Sequence, residues 1–268
     1  MVGHGKNITE NEDDMAIVVL FPIIIWISSL IFRKAGWKVT NYLGDEIPYN
    51  LGFCIFLIVL SYSLFVNDFF VFIYLSILWL TGFIDDRYGT KYPKGLKGHV
   101  VFFIRTGKIT TGLLKLISTL LISFTFTVML EGNIFEKLTV LLLLILTPHV
   151  MNLFDTRPLR VWKFIAAHLL ILFPIILLLP FPMLFIVGII VIELIYFEGA
   201  RKGMLGDNGA TLLGGIISIV VIYQLTLGLQ WLLIIFYLFI VVVTERISIS
   251  EWIEKKPLVK RIDRWGIS

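Results

Sequence analysis

Five side chains in three short polar segments hold the chemistry open to this 268-residue sequence. Asp85 and Asp86 stand in Asp85-Asp86-Arg87-Tyr88-Gly89, Asn152 and Asp155 in Asn152-Leu153-Phe154-Asp155, and Asp207 in Gly206-Asp207-Asn208-Gly209-Ala210. Carboxylates gathered from separate segments are hard oxygen donors of the kind that hold Mg²⁺, which takes one or two of them and leaves its remaining positions to water and substrate phosphates. Such an ion neutralises and orients a phosphoryl group. Glycines crowd the third segment, at Gly199, Gly203, Gly206, Gly209, Gly214 and Gly215, with Arg201 and Lys202 just ahead of Asp207. Backbone N–H groups at a helix start receive phosphate oxygens, and arginine side chains do the same. Arg157 and Arg160 add such donors beyond Asp155.

Each segment also has an ordinary structural role. Asp85 and Asp86 could open a solvated loop with Arg87 as partner, Asn152 and Asp155 could end a helix ahead of Pro158, and Asp207 could cap a helix N-terminus. The convergence of all three is what favours chemistry.

Bilayer-spanning helices have to position these residues. The chain is 58% hydrophobic with a mean hydropathy of +0.92, well above the 45–50% typical of soluble domains. Windows long enough to span read as residues 15–32, 50–66, 69–84, 110–130, 136–150, 161–179, 182–197, 210–226 and 229–245. The expected fold is therefore an all-α polytopic bundle of about nine helices. The tight turns near Asn67-Asp68 and Pro180-Phe181-Pro182 leave re-entrant pairs open as an alternative. Residues 1–14 form an acidic polar segment without the basic start of a signal peptide, so the first span is expected to stay. Residues 15–245 form the membrane domain and 246–268 a basic tail.

Lysine and arginine mark the cytoplasmic side. An alternating topology puts Arg33, Lys34, Lys38, the run from Arg87 to Lys115, Arg157, Arg160, Lys163, Arg201, Lys202 and the tail from Arg246 to Arg264 on one side, against Lys6 and Lys137 on the other. The N-terminus is then outside, and all three polar segments face the cytoplasm. Anionic headgroups alone could account for the basic face. Residues 91–110 and the tail, with Trp252, Ile253, Leu258, Ile262 and Trp265 among its charges, are expected to lie along the headgroup layer. The lone Cys54 excludes a disulfide framework. His168 and Glu193 fall within spans, where ionisable groups usually face the bundle interior.

The order and side of the motifs resemble the polyprenyl-phosphate N-acetylhexosamine-1-phosphate transferase superfamily, glycosyl transferase family 4, which includes phospho-N-acetylmuramoyl-pentapeptide transferase. The likeness rests on Phe83-Ile84-Asp85-Asp86-Arg87-Tyr88-Gly89, Asn152-Leu153-Phe154-Asp155, Gly206-Asp207-Asn208-Gly209-Ala210 and the earlier Asn41-Tyr42-Leu43-Gly44-Asp45-Glu46-Ile47-Pro48. It implies a Mg²⁺-dependent enzyme of cell-envelope polymer biosynthesis, in which polyprenyl phosphate attacks the β-phosphorus of a UDP-aminosugar and UMP leaves. Asp207 would be the metal ligand, Asp85 and Asp86 would position or deprotonate the lipid phosphate, Asn152 and Asp155 would surround nucleotide and metal, and Arg201 and Lys202 would bind substrate. The implied partners are polyprenyl phosphate, the UDP-aminosugar and the bilayer, in a plasma or inner membrane. No nucleic acid is implied, and a homodimer is compatible. The chain departs from the family at His149, where Asn is usual, at Thr156, where Gly is usual, and in lacking the His-rich loop and a tenth span. Those departures support an alternative, a silent relative that binds lipid phosphate or nucleotide and regulates envelope assembly.

Overall fold

The structure, a computed structural model, describes residues 6–41, 43–66, 68–90, 95–176 and 180–267. It is mostly helical, at 79%. In chain order the elements are α1 (Lys6–Lys34), β1 (Lys38–Thr40), β2 (Glu46–Pro48), α2 (Leu51–Val66), α3 (Phe69–Tyr88), α4 (Gly95–Thr106), α5 (Thr111–Met129), α6 (Ile134–Phe154), α7 (Arg160–Ile176), α8 (Phe181–Gly199), α9 (Gly206–Gln224), α10 (Leu227–Thr244), α11 (Ile249–Glu254) and α12 (Pro257–Arg264).

Each hydrophobic window falls on a helix, because a run of apolar residues in a solvent without hydrogen-bonding partners must satisfy its own backbone. Among the described residues, α3, α5, α6, α9 and α10 are long and apolar enough to cross a bilayer. The helix α1 starts earlier than its window, inside the polar segment. Adding turns to an existing helix is cheap. Residues 1–5 of that segment, Tyr42 of the early motif, Lys91 and Lys94 of the first interfacial stretch, and positions 177–179 of the sixth window lie outside the described residues.

A hairpin, absent from the sequence expectation, connects α1 to α2. The strands pair antiparallel with Val39 opposite Ile47. Its turn forms around Asn41, whose Oδ1 accepts from the Leu43 and Asp45 N–H groups at 2.8 and 2.9 Å, a side-chain mimic of a backbone turn. The exit strand is stitched to the loop before α9: Met204 N donates to Pro48 O at 3.0 Å and Leu51 N to Met204 O at 3.2 Å. The hairpin thereby fixes the start of α9.

α9 is the central helix, with 61% of its span buried against 22–44% for the other four long apolar helices. It packs against α3, α6 and α2. Close approach to α3 depends on Gly82, where a Cβ would sit 2.6 Å from Asn208 Cα; small residues of this kind drive helix contact in lipid. Several buried polar side chains bridge neighbouring helices or close helix ends. Tyr74 Oη donates to Leu144 O at 2.8 Å. Gln230 Nε2 donates to Ile222 O and Leu225 O at 3.1 and 2.9 Å, closing the end of α9. His168 is a satisfied core histidine, with Nε2 2.6 Å from Tyr237 Oη and Nδ1 2.8 Å from Phe164 O.

Candidate functional site

The last turns of α3 and α6 and the first turns of α5 and α9 meet at one end of the bundle, and the side chains there divide into two groups. Asp85, Lys115, Asn152 and Asp207 share a cavity of about 320 Å³. Lys115, in the second turn of α5, places Nζ 2.7 Å from Asp85 Oδ2 and 2.5 Å from Asp207 Oδ2. In the orientation its neighbours select, the Asn152 amide donates to Asp207 Oδ1 at 3.0 Å and its oxygen accepts from Lys115 Nζ at 3.2 Å. One ammonium thus sits at the point on which three motifs converge.

Asp86 points elsewhere. Its Oδ1 accepts from Asp207 N at 2.9 Å, and its Oδ2 accepts from Asn208 N at 2.9 Å and Asn208 Nδ2 at 2.6 Å. These are N–H groups that a helix start leaves unpaired, so Asp86 of α3 caps α9 in trans. That arrangement explains why the carboxylate of Asp207 does not act as a cap; it is free to face the cavity. It also explains Gly206, whose φ of +66° no ordinary residue adopts cheaply and whose added Cβ would lie 2.7 Å from Asp86 Oδ2. Asp85 and Asp86, expected to act together, are adjacent residues with separate tasks. Nor do they open a loop with Arg87 as partner: both lie in the last turn of α3, and Arg87 stacks over the Tyr88 ring at 5.4 Å.

Asp155 caps the C-terminal end of α6, outside the cavity lining. Burial, then the negative charges of Glu198 and Asp207, push its carboxyl well above the usual carboxylate range. Glu198 itself is almost fully buried. It accepts from Trp162 Nε1 at 2.5 Å and from the backbone N–H groups of Leu159 and Leu205. One carboxylate therefore ties the strained turn at Leu159, φ +65°, to the residue that precedes Gly206.

Arg201 and Lys202 are not brought to the Asp207 cavity. Arg201 lies 3.8 Å from Asp45 Oδ2 and lines a second, charged cavity with Arg157, Glu254, Asp263 and Arg264. Lys202 sits over the Tyr196 ring, with Nζ 3.2 Å from its hydroxyl.

The sequence reading missed Lys115, Asn208 and Glu198 as site residues. Lys115 was counted only as a basic residue of one face, although a lysine one turn inside a hydrophobic window is a functional signal by default. Two histidines, His99 of α4 and His149 of α6, also line the cavity. His99 Nδ1 is 2.7 Å from Thr110 Oγ1, and burial lowers its imidazole pKa. Leu116, Ile145, Leu146, Pro148, Leu153 and Val241 give the same cavity an apolar wall as well.

Among the described residues no three His, Cys, Asp or Glu side chains form a ready-made metal cluster. The donor set nonetheless suits a cation. Asp85 Oδ2 and Asp207 Oδ2 already share one positive charge, that of Lys115, and an ion held by two carboxylates needs its remaining ligands from substrate phosphate. No family model matches the sequence, and no curated protein or solved structure matches it either.

Proposed function

We propose that this chain is a multi-pass membrane phosphotransferase that moves a sugar 1-phosphate from a UDP-aminosugar to polyprenyl phosphate, with Mg²⁺ and with its site on the cytoplasmic face. The observation that carries the reading is a single cavity of mixed lining. A Lys115, Asp85, Asp207 and Asn152 cluster shares its lining with the apolar side chains of Leu116, Ile145, Leu146 and Val241. A lipid that bears a phosphate has both characters.

The chemistry that this architecture suits is an in-line displacement. An oxygen of the lipid phosphate forms the new bond to the β-phosphorus, the bond from that phosphorus to the bridging oxygen breaks, and UMP leaves with that oxygen and its electron pair. Asp85, which lines the cavity beside Lys115, would position the lipid phosphate for attack. Lys115 would balance the negative charge of the diphosphate, and Asn152 would hold Asp207 in its rotamer. Asp207 and Asp85 would hold Mg²⁺, which supplies charge neutralisation on the phosphoryl oxygens.

The test is exchange of labelled UMP into a panel of UDP-aminosugars by the purified protein with undecaprenyl phosphate and Mg²⁺. Exchange is expected in the wild type and is expected to fall ~100-fold or more in Asp207→Asn, the scale of losing one preorganised charge contact. Absence of exchange with every donor would remove the enzymatic reading. A second reading, a silent relative that binds lipid phosphate, draws on the fact that Lys115 already neutralises both Asp85 and Asp207. In that case undecaprenyl phosphate still binds, and Asp207→Asn leaves binding unchanged.

A further inference from the structure

The two short helices after α10 carry opposite chemistry on their two faces. On the inner face Asp263, 4% exposed, takes a two-pronged bond from Arg160, Nε to Oδ1 at 2.6 Å and Nη2 to Oδ2 at 2.9 Å. Arg157 Nη1 donates to Glu254 Oε1 at 2.6 Å, and Lys163 Nζ donates to Asp263 O at 2.5 Å. Bidentate arginine pairs are geometrically selective, so α11 and α12 are held in one pose against the turn that follows Asp155.

Among the described residues nothing covers the outer face of α12. Leu258, Ile262 and Trp265 are 79%, 63% and 78% exposed. Their spacing of four and then three residues aligns them along one side of the helix. Trp252 of α11, 47% exposed, adds to the same apolar character. Lys255, Lys256 and Arg261 flank these residues and are exposed. Three large apolar side chains on a face rimmed by three cations would be costly in water, and they match the boundary between acyl chains and acidic headgroups. Reach agrees. The tail leaves the end of the apolar helix α10, and residues 245–248 can extend only ~14 Å before α11 begins.

We propose that α11 and α12 form a docking surface for anionic lipid, with Leu258, Ile262 and Trp265 seated at the headgroup boundary and Lys255, Lys256 and Arg261 bound to acidic headgroups. The outer face holds the bilayer while the inner face holds Arg157 and Arg160. Acidic lipid thereby steadies the turn that carries Asp155.

The experiment places an environment-sensitive fluorophore on Trp265→Cys of the full chain, in nanodiscs of phosphatidylcholine alone or mixed with phosphatidylglycerol. The one native thiol, Cys54, is fully buried. Blue-shifted emission is expected only with phosphatidylglycerol, together with several-fold slower tryptic cleavage after Lys255 and Arg261. The exposed pair Leu258→Glu and Ile262→Glu should abolish both effects without unfolding the protein, and Lys255→Gln with Lys256→Gln should weaken the emission shift and the slowing of cleavage after Arg261. Equal emission and cleavage in the two lipids would overturn the proposal. So would a shift that survives the glutamate pair, or one that appears only in discs holding two protomers, which would mark a second copy as the occupant. Neither readout depends on turnover, so a failure here and a failure of the transferase reading are separate results.

Discussion

Removing the Lys115 ammonium leaves the carboxylates of Asp85 and Asp207 converging on an empty position. The side chains of Lys115, Asp85 and Asp207 are 15%, 16% and 29% exposed, so the repulsion is only partly screened. Lys115→Ala is expected to cost ~2–3 kcal/mol, below the usual figure for breaking a fully buried pair because water reaches all three groups. Thermal unfolding in detergent measures it. Added Mg²⁺ should recover part of the loss in Lys115→Ala, since a divalent ion can take over the charge that the two carboxylates share. A second residue-scale result follows from the division of labour between neighbours. Asp86→Ala orphans the Asp207 and Asn208 N–H groups and should lower stability by about 1–2 kcal/mol, as for the loss of a helix cap. Asp85→Ala removes a cavity wall and no cap, so its effect on the unfolding temperature should be the smaller.

At the scale of elements, the tail is attached by charge, and its attachment depends on pH in a determined direction. Hydrogen bonds from Lys260 and Arg157 hold the Glu254 carboxyl at about 2, below its ordinary 4.5. The folded-state value is depressed, so the folded state binds fewer protons than the unfolded one between the two values. Its contribution is therefore complete above about pH 4.5 and is lost as the pH falls towards 2. Hydrogen exchange along α11 and α12 should accelerate over that interval. Glu254→Gln should exchange quickly at every pH, with the bundle helices unaffected. The fixed pose of α9 has a comparable origin, in the stitching of Pro48 and Leu51 to Met204 and in the cap from Asp86. Elements at this end of the molecule are located by polar bonds between loops, whereas α3, α6 and α9 meet farther in through apolar contact.

For the whole molecule, the end of the bundle that holds the site is also the end at which the basic loops and tail gather. On the positive-inside rule we propose that this is the cytoplasmic end. Trp265→Cys should react with an impermeant maleimide in inverted membrane vesicles and not in intact cells, and a cysteine placed in the 131–133 turn between α5 and α6 should do the reverse. Labelling of both positions from one side would break the alternating topology on which the location of the site depends.

The helices themselves were legible in the sequence, because apolar length and the need to satisfy the backbone in lipid are local properties. So was the arrival of Asp85, Asp155 and Asp207 near helix ends at one end of the bundle. What each does there was not legible. Asp85 and Asp86 are neighbours in the chain, yet a turn of about 100° per residue on α3 aims one into the cavity and the other at the N–H groups of α9. Lys115 read as one basic residue among many until the packing of α5 beside α3 and α9 put its ammonium between two acids. Arg201 and Lys202, close to Asp207 in sequence, face other partners because the left-handed turn at Arg201, φ +54°, redirects the chain. Hydrophobic periodicity carries the positions of helices along the chain and across the membrane. Which atoms meet depends on rotations and offsets of a few ångströms between helices, and those are set by packing among residues far apart in sequence.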